Sequence, residues 1–480
     1  MRARRTLVAR TFASTRAATR SALVALLCVA APLSAQIDDA AAGRAFAEAQ
    51  ALSAEDAGAL WGLPLYDGLI FLDGRSGTIA ANRADPAGAL TEQGDVFVGP
   101  MPSELIYANT AQDWQGQSWT TVLWPLPGGE HDRARLLAHE MYHRIQPAIA
   151  ARTGAGMGPE PLAAAPNEHL DQGVARETMR LEWRALAAAL RAPDDDARRT
   201  AMSDALLFRA VRHALFQTAR SAEVALESNE GVAEYTGYRL CGLEGSELRN
   251  EVARRVLADE RNPIVGRGFA YTSGGPYGLL LDDALEAAGQ DSWRDGFRGH
   301  IDFGVQLRAV LDLQLPRSLG DAYSERWPVY DPGGAIGASE KQRDADRMAR
   351  LEDVEARFVR GPVLRLPVSD APEYSFDPYG VEGVPGRGQF YTTIDLRDAW
   401  GRLHVTAGGV LVLTDESGVF TGLVVPWSED AALVDGSLQS PDGYTLELAD
   451  GWALTSGERD GDQALVESPV EVPVELPDEG

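Results

Sequence analysis

Two histidines four residues apart, with a glutamate directly after the first, stand at 139, 140 and 143 in HDRARLLAHEMYHRIQP, residues 131–147. On a helix, side chains four apart lie one turn above each other with β-carbons about 6 Å apart, so the imidazoles of His139 and His143 converge on one cation. Two neutral imidazoles suit zinc. Glu140 is rotated by roughly 100° from His139, which aims it beside that cation, where it can take a proton from a water. A catalytic zinc usually takes three protein ligands and leaves the fourth position to water, so a carboxylate from elsewhere is needed.

The stretch ALESNEGVAEYTGYRL, residues 225–240, offers that carboxylate. Glu230 is the expected third ligand. Glu234, one turn further along the same face, is placed to accept the outer N–H of His139 or His143 and so fix its tautomer. Without the first motif, two glutamates at this spacing would be a solvated helix face. The other histidines, His131, His169, His213, His300 and His404, share no such pattern and read as structural or solvated.

H-E-x-x-H is the pattern of zinc-dependent hydrolases. Together with N-E-G-V-A-E at 229–234, which begins 86 residues after His143, it resembles the gluzincin metallopeptidases, a group that includes thermolysin-like enzymes and zinc aminopeptidases. The resemblance implies Zn2+ held by His139, His143 and Glu230, with Glu140 as general base and Glu234 behind a ligand. AYTSGGPYGLLLDDALEAAG, residues 270–289, is similar to the Y-x-K-G stretch of the aminopeptidase and glycyl-aminopeptidase branches, where the tyrosine hydroxyl stabilises the oxyanion. The match falls on Tyr271, with Ser273 in place of the lysine, and Tyr277 is a competing donor. The aminopeptidase G-x-M-E-N stretch has no counterpart between residues 95 and 130, so exopeptidase activity does not follow. The metzincin pattern is excluded, because Gln146 and Ile149 stand where it needs Gly and a third His. The resemblance spans residues 119–290.

The elements that must carry these residues follow from patterning. The site helix is expected to begin near Asp132 and to stop before Pro147, which has no N–H to donate. Before it, DDAAAGRAFAEAQALSAEDAGALW favours helix, with Ser53 as a candidate N-cap, and LIFLD, DVFVG and WTTVLWPLP favour strands of a small antiparallel sheet. The last strand either offers a free edge to an extended peptide or is an ordinary edge or core strand, a choice the sequence leaves open. After it come two amphipathic helices, 167–192 and 199–224, with Trp183 and Phe208 in the core. Further on, EKQRDADRMARLEDVEARF at 340–358 reads as a charged helix. Beyond residue 361, short β runs such as VLRLPVS, RLHVTAGGVLVLTD and YTLELADGWAL alternate with Gly, Pro and Asp.

Composition sets the remaining bounds. Six arginines and no acids precede residue 21, and SALVALLCVAAPLSA follows, the pattern of a secretory signal over residues 1–35. Without those arginines the chain keeps 38 basic side chains against 71 acidic ones, which argues against nucleic acid as a partner. After cleavage only Cys241 remains, so no internal disulfide staples the fold.

The expected fold is α+β: a mostly helical zincin-like domain with a small antiparallel sheet over 36–358, a β-rich sandwich or barrel over 359–467, and an acidic, proline-containing tail over 468–480. The expected function is a secreted or periplasmic zinc metallopeptidase acting on peptides or proteins, with no stable membrane insertion. The alternative is an inactive zinc-containing scaffold or a secreted binding protein acting through its β-domain.

Overall fold

The computed structural model describes residues 37–102, 104–152, 167–261, 268–369, 372–376, 380–415, 419–434 and 437–468. The signal expected over 1–35, and all of the tail after Ser468, lie outside the described residues. Among those described, no helix is long and apolar enough to cross a membrane. The chain passes from an N-terminal sheet through a helical middle to a strand-rich C-terminal region.

Helix α1 (Asp39–Asp56) starts at Asp38, whose carboxylate accepts the Ala41 N–H at 2.6 Å. Ser53 is therefore not an N-cap. It lies in the last turn, and its hydroxyl accepts the backbone N–H groups of Leu65 at 3.0 Å and Tyr66 at 2.9 Å, fastening the following loop to the helix.

Six strands follow: β1 (Leu69–Asp73), β2 (Thr78–Ala81), β3 (Thr91–Gln93), β4 (Val96–Pro100), β5 (Thr110–Trp114) and β6 (Gln117–Leu123). They form one sheet in the order β3-β4-β2-β1-β6-β5. Leu69 to Leu72 are all apolar because both faces of the strand are covered. Leu69 and Phe71 enter the main helical core, whereas Ile70 and Leu72 pack with Trp114 and Trp119 in a second, smaller core. One expectation needs correction. The sheet is not wholly antiparallel, since β1 and β6 run parallel. Nor is β6 a free edge: of its readings the core strand holds, because β1 and β5 pair with it on either side, and the outer strand on that side is β5. Pairing partners are remote in sequence, so alternation within β6 could not reveal them.

Helix α2 (Glu130–Ala151) contains the site motif and runs straight through Pro147. Proline there removes the hydrogen bond to the His143 carbonyl, but Ile149 and Ala150 are buried and hold the last turn in place. Next come α3 (Gly173–Leu190), α4 (Asp195–Leu215), α5 (Ala219–Leu226), a π-turn at Glu227–Gly231, α6 (Val232–Leu240), α7 (Gly245–Asp259) and α8 (Phe269–Ala288). The stretch expected as one helix over 199–224 is two, broken where Phe216 is extended. The break turns α5 back so that Glu223 meets Arg212 of α4. Trp183 and Phe208 are core residues, as expected.

The helices α9 (Trp293–Gly296), α10 (Phe303–Val310), α11 (Leu319–Tyr330) and α12 (Ala335–Val354) lead to the C-terminal strands. These form a seven-stranded and a six-stranded sheet. Leu364, Val412 and Leu423 of one sheet share a core with Leu396, Leu403 and Leu446 of the other.

Ser53→Ala should destabilise the chain by about 2 kcal/mol, because the Leu65 amide is buried and loses its acceptor without access to water. Urea unfolding followed by circular dichroism measures this.

Candidate metal centre

Three helices meet here because small residues let their backbones touch. A β-carbon on Gly237 of α6 would lie 2.7 Å from the Arg135 carbonyl oxygen of α2. One on Gly274 of α8 would lie 2.2 Å from the Gly231 Cα at the end of the π-turn. The segment from Glu227 to Leu240 is thereby gripped between α2, which bears the histidine pair, and α8, which bears Tyr271.

The predicted ligands come together. His139 Nε2 and His143 Nε2 are 3.1 Å apart, and Glu230 Oε2 lies 3.5 Å from the first and 3.3 Å from the second. The two outer ring nitrogens are both engaged. His139 Nδ1 donates to Glu234 Oε2 at 3.1 Å, and His143 Nδ1 donates to Gln146 Oε1 at 3.1 Å. Each ring, once neutral, presents an Nε2 lone pair inward, where it faces the other ring's Nε2 and a carboxylate oxygen. Such an arrangement could hold a cation. Four ligands at bonds of about 2.0–2.1 Å in a tetrahedron are separated by about 3.3 Å, which is the spacing of this triangle.

The surrounding charge points the same way. Burial lowers the pKa of His139, but the carboxylates of Glu230, Glu234 and Glu140 overcome that and hold it up to about 10. Burial raises Glu230, yet hydrogen bonds from the two histidines, when Nε2 carries a proton in place of a metal, pull it well below the usual carboxylate range. Glu234 is likewise lowered despite burial, by His139 and by Arg135, whose Nη1 donates to Glu234 Oε1. This is a negative cage that binds either protons or a metal ion.

Glu140 stands within 4.8 Å of both histidines. It is 4% exposed, and its Oε2 has no hydrogen-bond partner among the described residues. Burial raises its pKa, with the histidines only partly offsetting the effect. A buried carboxylate with a raised pKa and an oxygen left without a partner is suited to passing a proton.

The chain matches no family model, no curated protein and no solved structure.

The two tyrosines separate. Tyr271 stacks on the His139 ring, with centroids 5.4 Å apart and planes 11° apart, and remains 37% exposed. Tyr277 is fully buried, and its hydroxyl donates to Glu182 Oε1 at 2.7 Å. It is therefore corrected from a candidate oxyanion donor to a packing residue. Six positions apart on one continuous helix, the two side chains point about 120° from each other.

His131 bonds the Cys241 carbonyl at 2.8 Å, and His300 is exposed. His404 lies beside Asp395 at 3.2 Å, and His169 and His213 bond Glu223 at 2.7 and 2.8 Å. Gln146 and Arg135 were not among the predicted site residues. Gln146 could have been found, since it lies three positions after His143 on the same helix face; Arg135 acts through α6, a partner no local pattern reveals.

Gly274→Ala should destabilise the fold by about 3 kcal/mol, since a methyl group cannot share space with backbone. Gly320→Ala in α11, where nothing lies within 4 Å of the new methyl, should change stability by no more than about 1 kcal/mol. Parallel denaturant titrations of the two variants test the contrast.

Proposed function

We propose that this protein is a zinc-dependent hydrolase acting on peptide bonds, of the gluzincin kind, working outside the cytoplasm in a secreted or periplasmic setting. The observation that carries the reading is the triangle of His139 Nε2, His143 Nε2 and Glu230 Oε2, with sides of 3.1, 3.5 and 3.3 Å. Zinc held by these three residues would supply a water acidified to a pKa of about 7 and a polarised carbonyl.

The chain's own groups do the rest. Glu140 takes the proton of the attacking water and delivers it to the leaving amine, a task its raised pKa favours. Glu234 and Gln146 hold the two imidazoles in the tautomer that keeps Nε2 free of a proton. Tyr271, against the His139 ring, donates its hydroxyl to the oxyanion. The outer edge of β5, a strand that packs on α2, would pair with an extended peptide and align its scissile bond. The buried Glu140 carboxylate, with Oε2 unpartnered, favours this over an inactive zinc scaffold, in which a carboxylate held ready for a proton has no task.

Glu140→Gln tests the reading. Zinc content, measured by elemental analysis, should stay at the wild-type level while cleavage of a mixed peptide library falls about 1,000-fold. Full cleavage by a zinc-loaded Glu140→Gln protein would contradict it.

A further inference from the structure

Behind the metal centre lies a second set of charged groups that touches neither histidine of the pair. Glu182 of α3, Arg209 and Arg212 of α4, Glu223 of α5 and Glu227 of the π-turn are each no more than 3% exposed. Burying five charges is costly unless every one is paired, and here the pairing is organised around one carboxylate. Glu182 Oε1 accepts Arg209 Nε at 2.8 Å and the Tyr277 hydroxyl at 2.7 Å, while Glu182 Oε2 accepts Arg212 Nη2 at 2.6 Å. Arg209 then turns its fork on Glu227, donating from Nη1 to Oε2 at 2.9 Å and from Nη2 to Oε1. The Arg209 guanidinium also lies over the Tyr277 ring, 4.4 Å from its centroid.

What this clamp holds is specific. Glu227 opens the π-turn in which Glu230 stands, and Tyr277 belongs to α8, which also bears Tyr271. A π-turn breaks the regular hydrogen-bond ladder of a helix, so its shape needs support from outside. Arg209 supplies that support with a planar bidentate contact, which fixes orientation as well as distance. The neighbouring bond from Trp183 Nε1 to Ser273 Oγ, 2.8 Å, ties α3 to α8 on the same side.

We propose that Arg209 and Glu182 are positioning residues for the metal centre: Arg209 sets the π-turn through Glu227 so that Glu230 meets the imidazole pair, and Glu182 joins the same clamp to α8. The inference rests on the metal-binding reading above. It differs from mere internal bracing in one respect: loosening the clamp must change how the metal is held, beyond any loss of stability.

Cobalt(II) provides the probe, since its visible absorption reports coordination without any assay of turnover. The full chain and its variants would be titrated with Co2+ against a competing chelator, and their melting temperatures recorded in parallel. Arg209→Lys, which keeps the charge and loses the fork, and Glu182→Gln should each weaken Co2+ binding about 10- to 100-fold and alter the absorption band. Tyr277→Phe removes only a hydroxyl and should shift both readouts in the same direction by less, so the test survives if Arg209→Lys fails to fold. Val252→Ala, a core truncation in α7, should lower the melting temperature with Co2+ affinity and spectrum unchanged. Variants of the clamp that melt earlier but bind Co2+ with wild-type affinity and spectrum would overturn the proposal. A wild-type chain that takes up no Co2+ would instead remove the metal reading beneath it.

Discussion

Lone pairs brought within 3.1–3.5 Å of one another repel unless a positive charge sits among them. His139 and His143 on α2 and Glu230 in the π-turn are held in that position by remote segments, and most of the helical middle can be understood as the means of holding them. Glu234 and Gln146 direct the imidazole protons outward, so the rings face inward with their basic nitrogens. His139 and Arg135 both bond Glu234 and, against the effect of burial, hold its pKa below the usual carboxylate value. The cluster is thus electrostatically incomplete unless it takes up protons or a cation, and this is why it could hold a metal ion.

Packing enforces the incompleteness. Gly237 against α2 and Gly274 against the π-turn remove the side chains that would otherwise keep the backbones apart. Behind them, the Glu182–Arg209–Glu227 contacts replace water with fixed charge-assisted hydrogen bonds. The interior of this region is therefore polar where its surroundings are apolar. Burying so many charges is justified only if the positions they set matter more than the desolvation they cost.

Much of the site was legible because its chemistry is written at helical spacing. His139 and His143 at i and i+4, and Glu230 and Glu234 at the same interval, specify two faces without any knowledge of the fold. The helical middle was legible too, as was the switch to short β runs after residue 361. What stayed hidden depended on contacts between remote segments. The partners of β6 lie on other strands, so nothing local told an interior strand from an edge. The π-turn at Glu227–Gly231 has no propensity signal of its own. Arg209 and Arg212 did leave a trace, as two cations inside the otherwise apolar LLFRAVRHAL, but only the fold reveals the carboxylates that face them.

The central claim is that one divalent ion sits among three named atoms. Anomalous diffraction from crystals of the zinc-loaded full chain, recorded on both sides of the zinc absorption edge, tests it directly. The account predicts a single strong peak about 2.0–2.1 Å from Nε2 of His139, Nε2 of His143 and a carboxylate oxygen of Glu230. A peak coordinated by other residues, or none at that position in crystals that contain zinc, would contradict it.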